Sequence, residues 1–129
     1  MYSKFGQFID GKWQPSSDKG TYDVVNPATE ELIGKASKAT TIDVEKALKS
    51  AEKGFKIWKK IAPWERAKII RKIADLMRKK NNELAKWMTL ETGKPLAESL
   101  AEVSGSADIF EWNAEETKRI YGQTVQSRF

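Results

Sequence analysis

Glu91 stands in the stretch Leu90-Glu91-Thr92-Gly93-Lys94-Pro95, between two helical patterns. Gly93 and Pro95 explain themselves as punctuation: glycine ends one helix and proline opens the next. Glu91 and Thr92 are less easily explained. Elsewhere residues able to do chemistry are sparse. The chain has 0 His and 0 Cys, so it carries neither the commonest general base nor a thiolate nucleophile. Glu115 and Glu116 are adjacent on a helical pattern, so their side chains diverge and read as a solvated face. Ser104 and Ser106 have no histidine to activate them and read as polar helix positions. No G-x-G-x-x-G or P-loop pattern is present to cradle a phosphate. The residues alone assign no catalytic and no cofactor-binding group.

The elements that must position Glu91 are legible from pattern and punctuation. Phe5 to Trp13 (FGQFIDGKW) reads as strand, turn and strand, because Asp10-Gly11 suits a type I′ turn. Thr21 to Val25 is a second extended run, broken at Asn26-Pro27. Glu31 to Ala36 is a strand returning from that break. Thr40 or Thr41 caps a first helix, with Asp43 in its first turn, where the macrodipole favours an acid. Its apolar stripe is Val44, Ala47, Leu48, Ala51, Phe55 and Trp58, and close packing accounts for Gly54. Pro63 opens a second helix with buried positions Ile70, Ile73, Ala74 and Met77. Asn81-Asn82 is a weak break, and Leu84, Trp87 and Met88 carry an apolar face on to Leu90. Pro95 opens the longest helix, whose stripe Leu96, Leu100, Val103, Ala107, Phe110, Ala114 and Tyr121 runs to a stop at Gly122.

The 129 residues make one domain by length, and a 40% hydrophobic, 32% charged composition belongs to a soluble globular chain. Five tryptophans, with Trp58, Trp64, Trp87 and Trp112 on or beside helix stripes, point to core or interface packing. No apolar run approaches the ~20 residues of a membrane span, and the N-terminus lacks the apolar region of a secretory signal. A cytoplasmic location is expected. The net charge of +5 is concentrated: residues 53–80 hold 11 basic and 2 acidic groups. Such a block reads first as a solvated helix face and second as a surface for an anionic partner.

Several short segments, in order, resemble the N-terminal region of the NAD(P)-dependent aldehyde dehydrogenase superfamily. They are FIDGKWQ, YDVVNPATEELIG, ERAKIIRKIADLM, ELAKWMTLETGKPLAE and EWNAEETKRIYGQT. The last two are nearest in wording to the succinate-semialdehyde dehydrogenase branch. Two positions depart from the pattern: Glu30 replaces a glycine, and Asn113 stands where an aromatic is expected.

The resemblance implies a fold and a partial role. The fold is mainly α with an N-terminal β-hairpin, the outer helical portion of an α/β coenzyme-binding domain without its parallel sheet. Residues 1–129 form a single truncated unit, with hairpin and extended segments over 1–36 and helices over 40–122. The family oxidises aldehydes to carboxylic acids with NAD or NADP, through a catalytic cysteine that lies beyond this segment, so the chain alone is expected to be inactive and to need no cofactor. Carried over by position, the carbonyls of Val24 and Val25 and the carboxylate of Glu91 would hold a monovalent cation. Ser104, Asp108 and Trp112 would line the substrate entrance. Uncovered helix stripes imply a homo-oligomer, with no membrane partner and nucleic acid disfavoured. The rival readings are a basic helical module that binds nucleic acid through residues 53–80, and a small helical interaction protein.

Overall fold

Asp10 and Gly11 both adopt positive φ, 52° and 76°, the signature of the type I′ turn their sequence suits. They join β1 (Gln7–Ile9) to β2 (Lys12–Gln14) in an antiparallel hairpin. Phe8 opposes Trp13 across it, with ring centroids 5.1 Å apart. These features come from a computed structural model that describes residues 6–128, so the start of the expected hairpin at Phe5 lies outside the described residues. A second antiparallel pair follows, β3 (Thr21–Val25) with β4 (Leu32–Ser37). Its ladder is irregular at Val24 and Val25, which oppose Gly34 and Leu32 and leave Ile33 as the extra residue.

The turn between β3 and β4 is built by Asn26. Its side chain accepts a bond from the Ala28 N–H at 2.9 Å, and its N–H donates to the Glu31 carbonyl at 2.9 Å. Glu30 closes the turn at φ 61°, a left-handed conformation that favours glycine.

Four helices follow: α1 (Thr41–Trp58), α2 (Pro63–Lys79), α3 (Asn81–Thr92) and α4 (Leu96–Glu116). Thr40 is the N-cap of α1, and Asp43 completes a capping box with it. Pro63 takes the first position of α2, while Pro95 stands one place outside α4, at its N-cap. The weak break expected at Asn81-Asn82 is present one residue earlier and separates two helices. The chain leaves helical geometry at Lys80 (φ −102°, ψ 14°) and restarts at Asn81. The longest helix is shorter than its stripe: α4 stops at Glu116, a single 3₁₀ turn covers Thr117–Arg119, and Tyr121 is exposed beyond it.

The core lies where α4 packs along α2 and α3. It is a seam of small side chains: Ala67 and Ala74 from α2, Ala85 from α3, and Ser99, Val103, Ala107 and Ala114 from α4. Small residues let helix backbones approach closely, and Ser99 satisfies its buried hydroxyl against Thr89 of α3 at 2.8 Å.

Several expected core positions face water instead. Val44, Leu48, Phe55 and Trp58 of α1 are exposed, as is Ile73 of α2, whereas Ile70 and Met77 are half-buried. Trp64 and Trp112 are exposed too, so they are not core tryptophans. The physical reason is one of supply: among the described residues only the small hairpin β1–β2 packs appreciably on α1. Gly54 meets open space where its Cβ would be, so close packing does not explain it. No helix among the described residues is long and apolar enough to cross a membrane.

Candidate functional site

The hinge after α3 is positioned by Gly93. Its φ of 73° is the left-handed C-cap conformation, and its N–H donates to the Thr89 carbonyl at 2.9 Å. A Cβ built there would lie 3.1 Å from Pro27 Cγ and 3.2 Å from Ala28 Cβ. The hinge therefore abuts the Asn26-Pro27-Ala28 turn, directly beyond Val24 and Val25. Glu91, two residues before Gly93, is exposed on the last turn of α3. Val24 is half-buried, Val25 is exposed, and both fall at the irregular step of the β3–β4 ladder. No group of three or more acidic side chains among the described residues is arranged to hold a metal ion. Any cation here would rest on backbone carbonyls with one carboxylate.

Ser104, Asp108 and Trp112 are spaced by four residues along α4 and all are exposed, Trp112 at 70%. An adjacent face of the same turns, Val103 and Ala107, is buried in the helical seam. One helix thus anchors itself with small residues and presents a polar and aromatic wall. The wall is braced from α2: the Arg78 guanidinium donates to Asp108 at 2.8 Å and to Glu111 at 2.6 Å. Those two carboxylates, Asp108 first, raise the Arg78 pKa above its ordinary value. Glu115 and Glu116 diverge as expected, Glu115 pairing with Arg71 and Lys118, and Glu116 with Arg119.

Sequence reasoning missed a buried polar clasp. Asp43 was visible as a helix-start acid, but it is also the acceptor for a distant loop. It takes the Ser17 N–H at 3.0 Å and the Ser17 hydroxyl at 2.5 Å, besides the Thr40 N–H at 3.0 Å. These donors, the Ser17 hydroxyl foremost, hold its carboxyl well below the usual carboxylate range. The T-x-x-D spacing signals the capping box, but nothing local signals Ser17, 26 residues away.

Six of the eleven basic groups in residues 53–80 are ion-paired, Lys53 with Asp10 among them. Lys56 pairs with Glu52, Lys68 with Glu65, Arg71 with Glu115, Arg78 with Asp108 and Glu111, and Lys80 with Glu83. That pattern is an ion-paired helix surface and does not favour a nucleic-acid interface. The α1 N-terminus, the best-capped helix start, is closed by Asp43, whose negative charge opposes a phosphate.

Comparison with known proteins draws these parts together. The model of the aldehyde dehydrogenase family matches residues 13–129. A glutarate-semialdehyde dehydrogenase of Pseudomonas aeruginosa is 40% identical over 118 residues, 92% of this chain and 24% of that protein. A succinate-semialdehyde dehydrogenase [NADP(+)] of Saccharomyces cerevisiae is 41% identical over 119 residues, again 92% of this chain and 24% of that protein. Among solved structures, betaine aldehyde dehydrogenase of Staphylococcus aureus in complex with NAD+ superposes with a TM-score of 0.91 at 33% identity. The match covers 96% of this chain and 25% of that one. An Escherichia coli NADP-dependent enzyme gives 0.91 at 37% identity, covering 98% and 27%. The chain spans about a quarter of the length of the curated relatives it matches. A mainly helical body with short antiparallel strand pairs, matched from residue 13 to residue 129, makes this chain a member of the aldehyde dehydrogenase family.

Proposed function

We propose that this chain is the N-terminal portion of an NAD(P)-dependent aldehyde dehydrogenase acting on a semialdehyde, an aldehyde that also carries a carboxyl group. The observation that carries the reading is the family match across residues 13–129, with semialdehyde dehydrogenases as relatives near 40% identity. In this reading the whole enzyme takes an aldehyde to its carboxylic acid while NAD+ or NADP+ accepts a hydride. The residues in hand supply no thiolate and no phosphate-binding turn, so no chemical step is assigned to them. Their contribution is structural. They are the outer helices of a coenzyme-binding domain, and the faces of α1 and α2 left in water are those a parallel sheet, or a second copy of the chain, would cover.

Two sites follow as parts of the same reading. The α4 wall of Ser104, Asp108 and Trp112 forms one side of the substrate entrance, held at a fixed height by Arg78. The carbonyls of Val24 and Val25 with the Glu91 carboxylate hold a monovalent cation, supported by the packing of Gly93 on the turn beyond Val25. A thermal melt in sodium or potassium chloride against choline chloride at equal ionic strength tests the second site. Cation-specific stabilisation lost in Glu91→Gln supports it, and identical melts in all three salts refute it.

The length of the native polypeptide tests the reading as a whole. Relatives of which the chain covers 24% imply a native protein roughly four times as long. An antibody raised against residues 96–116 should detect a species of that size in cells. A species of 14.6 kDa alone would overturn the proposal.

A further inference from the structure

Between the β1–β2 hairpin and α1 lies a groove with two lobes that share Ile9, Asp10 and Ser50. The first lobe is a cavity of about 360 Å³ into which Lys46, Lys49 and Lys53 project from successive turns of α1. The second is a cavity of about 260 Å³ walled by Phe8, Ala47 and Ala51. Volumes of this order suit small molecules, whose pockets run from about 300 to 1,000 Å³. The first lobe carries more lysines than acids. Asp10 is its sole acid, engaged by Lys53 at 3.6 Å and by the Ser50 hydroxyl at 3.5 Å. Lys46 reaches the Ser17 hydroxyl at 3.2 Å, which in turn donates to Asp43 outside the lobe. For Lys49 the described residues provide no ion pair.

We infer that this groove binds a small amphiphile, an anionic carboxylate or phosphate head on a short apolar tail. Three ammonium groups against one carboxylate, on one wall of the lobe, attract an anion and offer it several donors. The adjoining apolar lobe rewards a tail that inorganic anions lack. Neither half alone separates this groove from ordinary lysine-rich surface. Their continuity through Ile9, the buried residue of the hairpin, makes it a two-part site. The inference concerns residues 8–53 and does not depend on the dehydrogenase reading.

Chemical-shift titration of the full chain tests it with four probes: octanoate, octyl phosphate, octanol and inorganic phosphate. Octanoate, octyl phosphate or both should perturb the amides of Ile9, Lys49 and Ser50. Either should bind at least about fivefold more tightly than octanol or inorganic phosphate. Binding of one charged probe alone assigns the head group, and binding of both leaves the shared anion as the determinant. The double variant Lys46→Gln/Lys49→Gln should weaken binding by about fivefold or more while leaving the α2–α4 resonances in place. Ala51→Trp should weaken the octyl probes by filling the apolar lobe, without touching the charge. The proposal is overturned if octanol binds as well as octanoate, or if the lysine double variant binds unchanged. It is equally overturned if the perturbed amides lie on the exposed stripes of α2 and α4, or if neither charged probe binds below roughly 10 mM.

Discussion

At the scale of single residues, two side chains carry opposite messages. Glu30 occupies a left-handed backbone position, φ 61°, where the family-like pattern has glycine. A side chain there costs about 1–2 kcal/mol, offset in part by the greater unfolded-state entropy of glycine. Glu30→Gly should therefore stabilise the chain by roughly 0.5–1 kcal/mol in a urea melt. Unchanged or lower stability would mean that the turn holds Glu30 by contacts the backbone does not reveal. Asp43 is the opposite case, a polar group whose surroundings suit its charge. Its folded pKa is depressed, so its stabilising effect is fully present above the unfolded value near 3.9 and is lost as pH falls through the folded value. Asp18, lowered by the Gly20 N–H and then by the Ser16 hydroxyl, acts with the same sign. Stability should be flat from neutrality to about pH 5 as far as these two groups decide it, and fall below about pH 4. Asp43→Asn should be less stable at pH 7, with its melting curve converging on the wild type toward pH 2. Parallel curves at all pH values would show that the carboxylate charge is not what Ser17 and Thr40 engage.

At the scale of elements, helix punctuation was legible and helix burial was not. Asp10-Gly11, Thr40, Pro63 and Gly93 each act through local backbone geometry, which four or five residues specify. The break was legible at Asn81-Asn82 but falls one residue earlier, at Lys80, because terminal helix residues are the least sharply specified. The α1 stripe was misread as core for a different reason. Periodicity reports which residues prefer an apolar neighbour, not whether the chain provides one. In the candidate sites, the family resemblance pointed to Ser104, Asp108 and Trp112 but not to the Arg78 brace from α2. The same limit hid Ser17 from Asp43. Gly93 ties local and distant structure together, and a paired substitution separates the two. Gly122 has nearly the same φ, 70°, with open space around its Cβ position, whereas Gly93 faces Pro27 and Ala28. Gly122→Ala should cost at most about 1–2 kcal/mol from backbone strain. Gly93→Ala should cost about 1 kcal/mol more, because the turn carrying Val24 and Val25 must shift. Equal costs in chemical denaturation would show that the hinge and the turn are not packed as described.

At the scale of the whole molecule, the exposed faces of α1 and α2 decide behaviour in solution. Leu48 and Phe55 on α1, and Ile69, Ile73 and Leu76 on α2, lie in water. Each large apolar side chain so left forgoes ~1.5–3 kcal/mol of burial, against a net stability of ~5–15 kcal/mol for an ordinary domain. The chain should therefore self-associate, with sedimentation velocity showing mass that rises with concentration and a dye for apolar surface binding the dilute form. A monomer at high concentration with no dye binding would mean that the helices close over their own stripes. In the reading proposed above, these 129 residues supply part of the family's scaffold and none of its chemistry. The direct measurement is turnover. Pure protein with an intact mass of 14.6 kDa is incubated with succinate semialdehyde or glutarate semialdehyde and NAD+ or NADP+. The rise of reduced-nicotinamide absorbance is then followed. The account predicts no rise above the protein-free rate with either cofactor. Cofactor-dependent turnover that scales with protein concentration and survives further purification would contradict it.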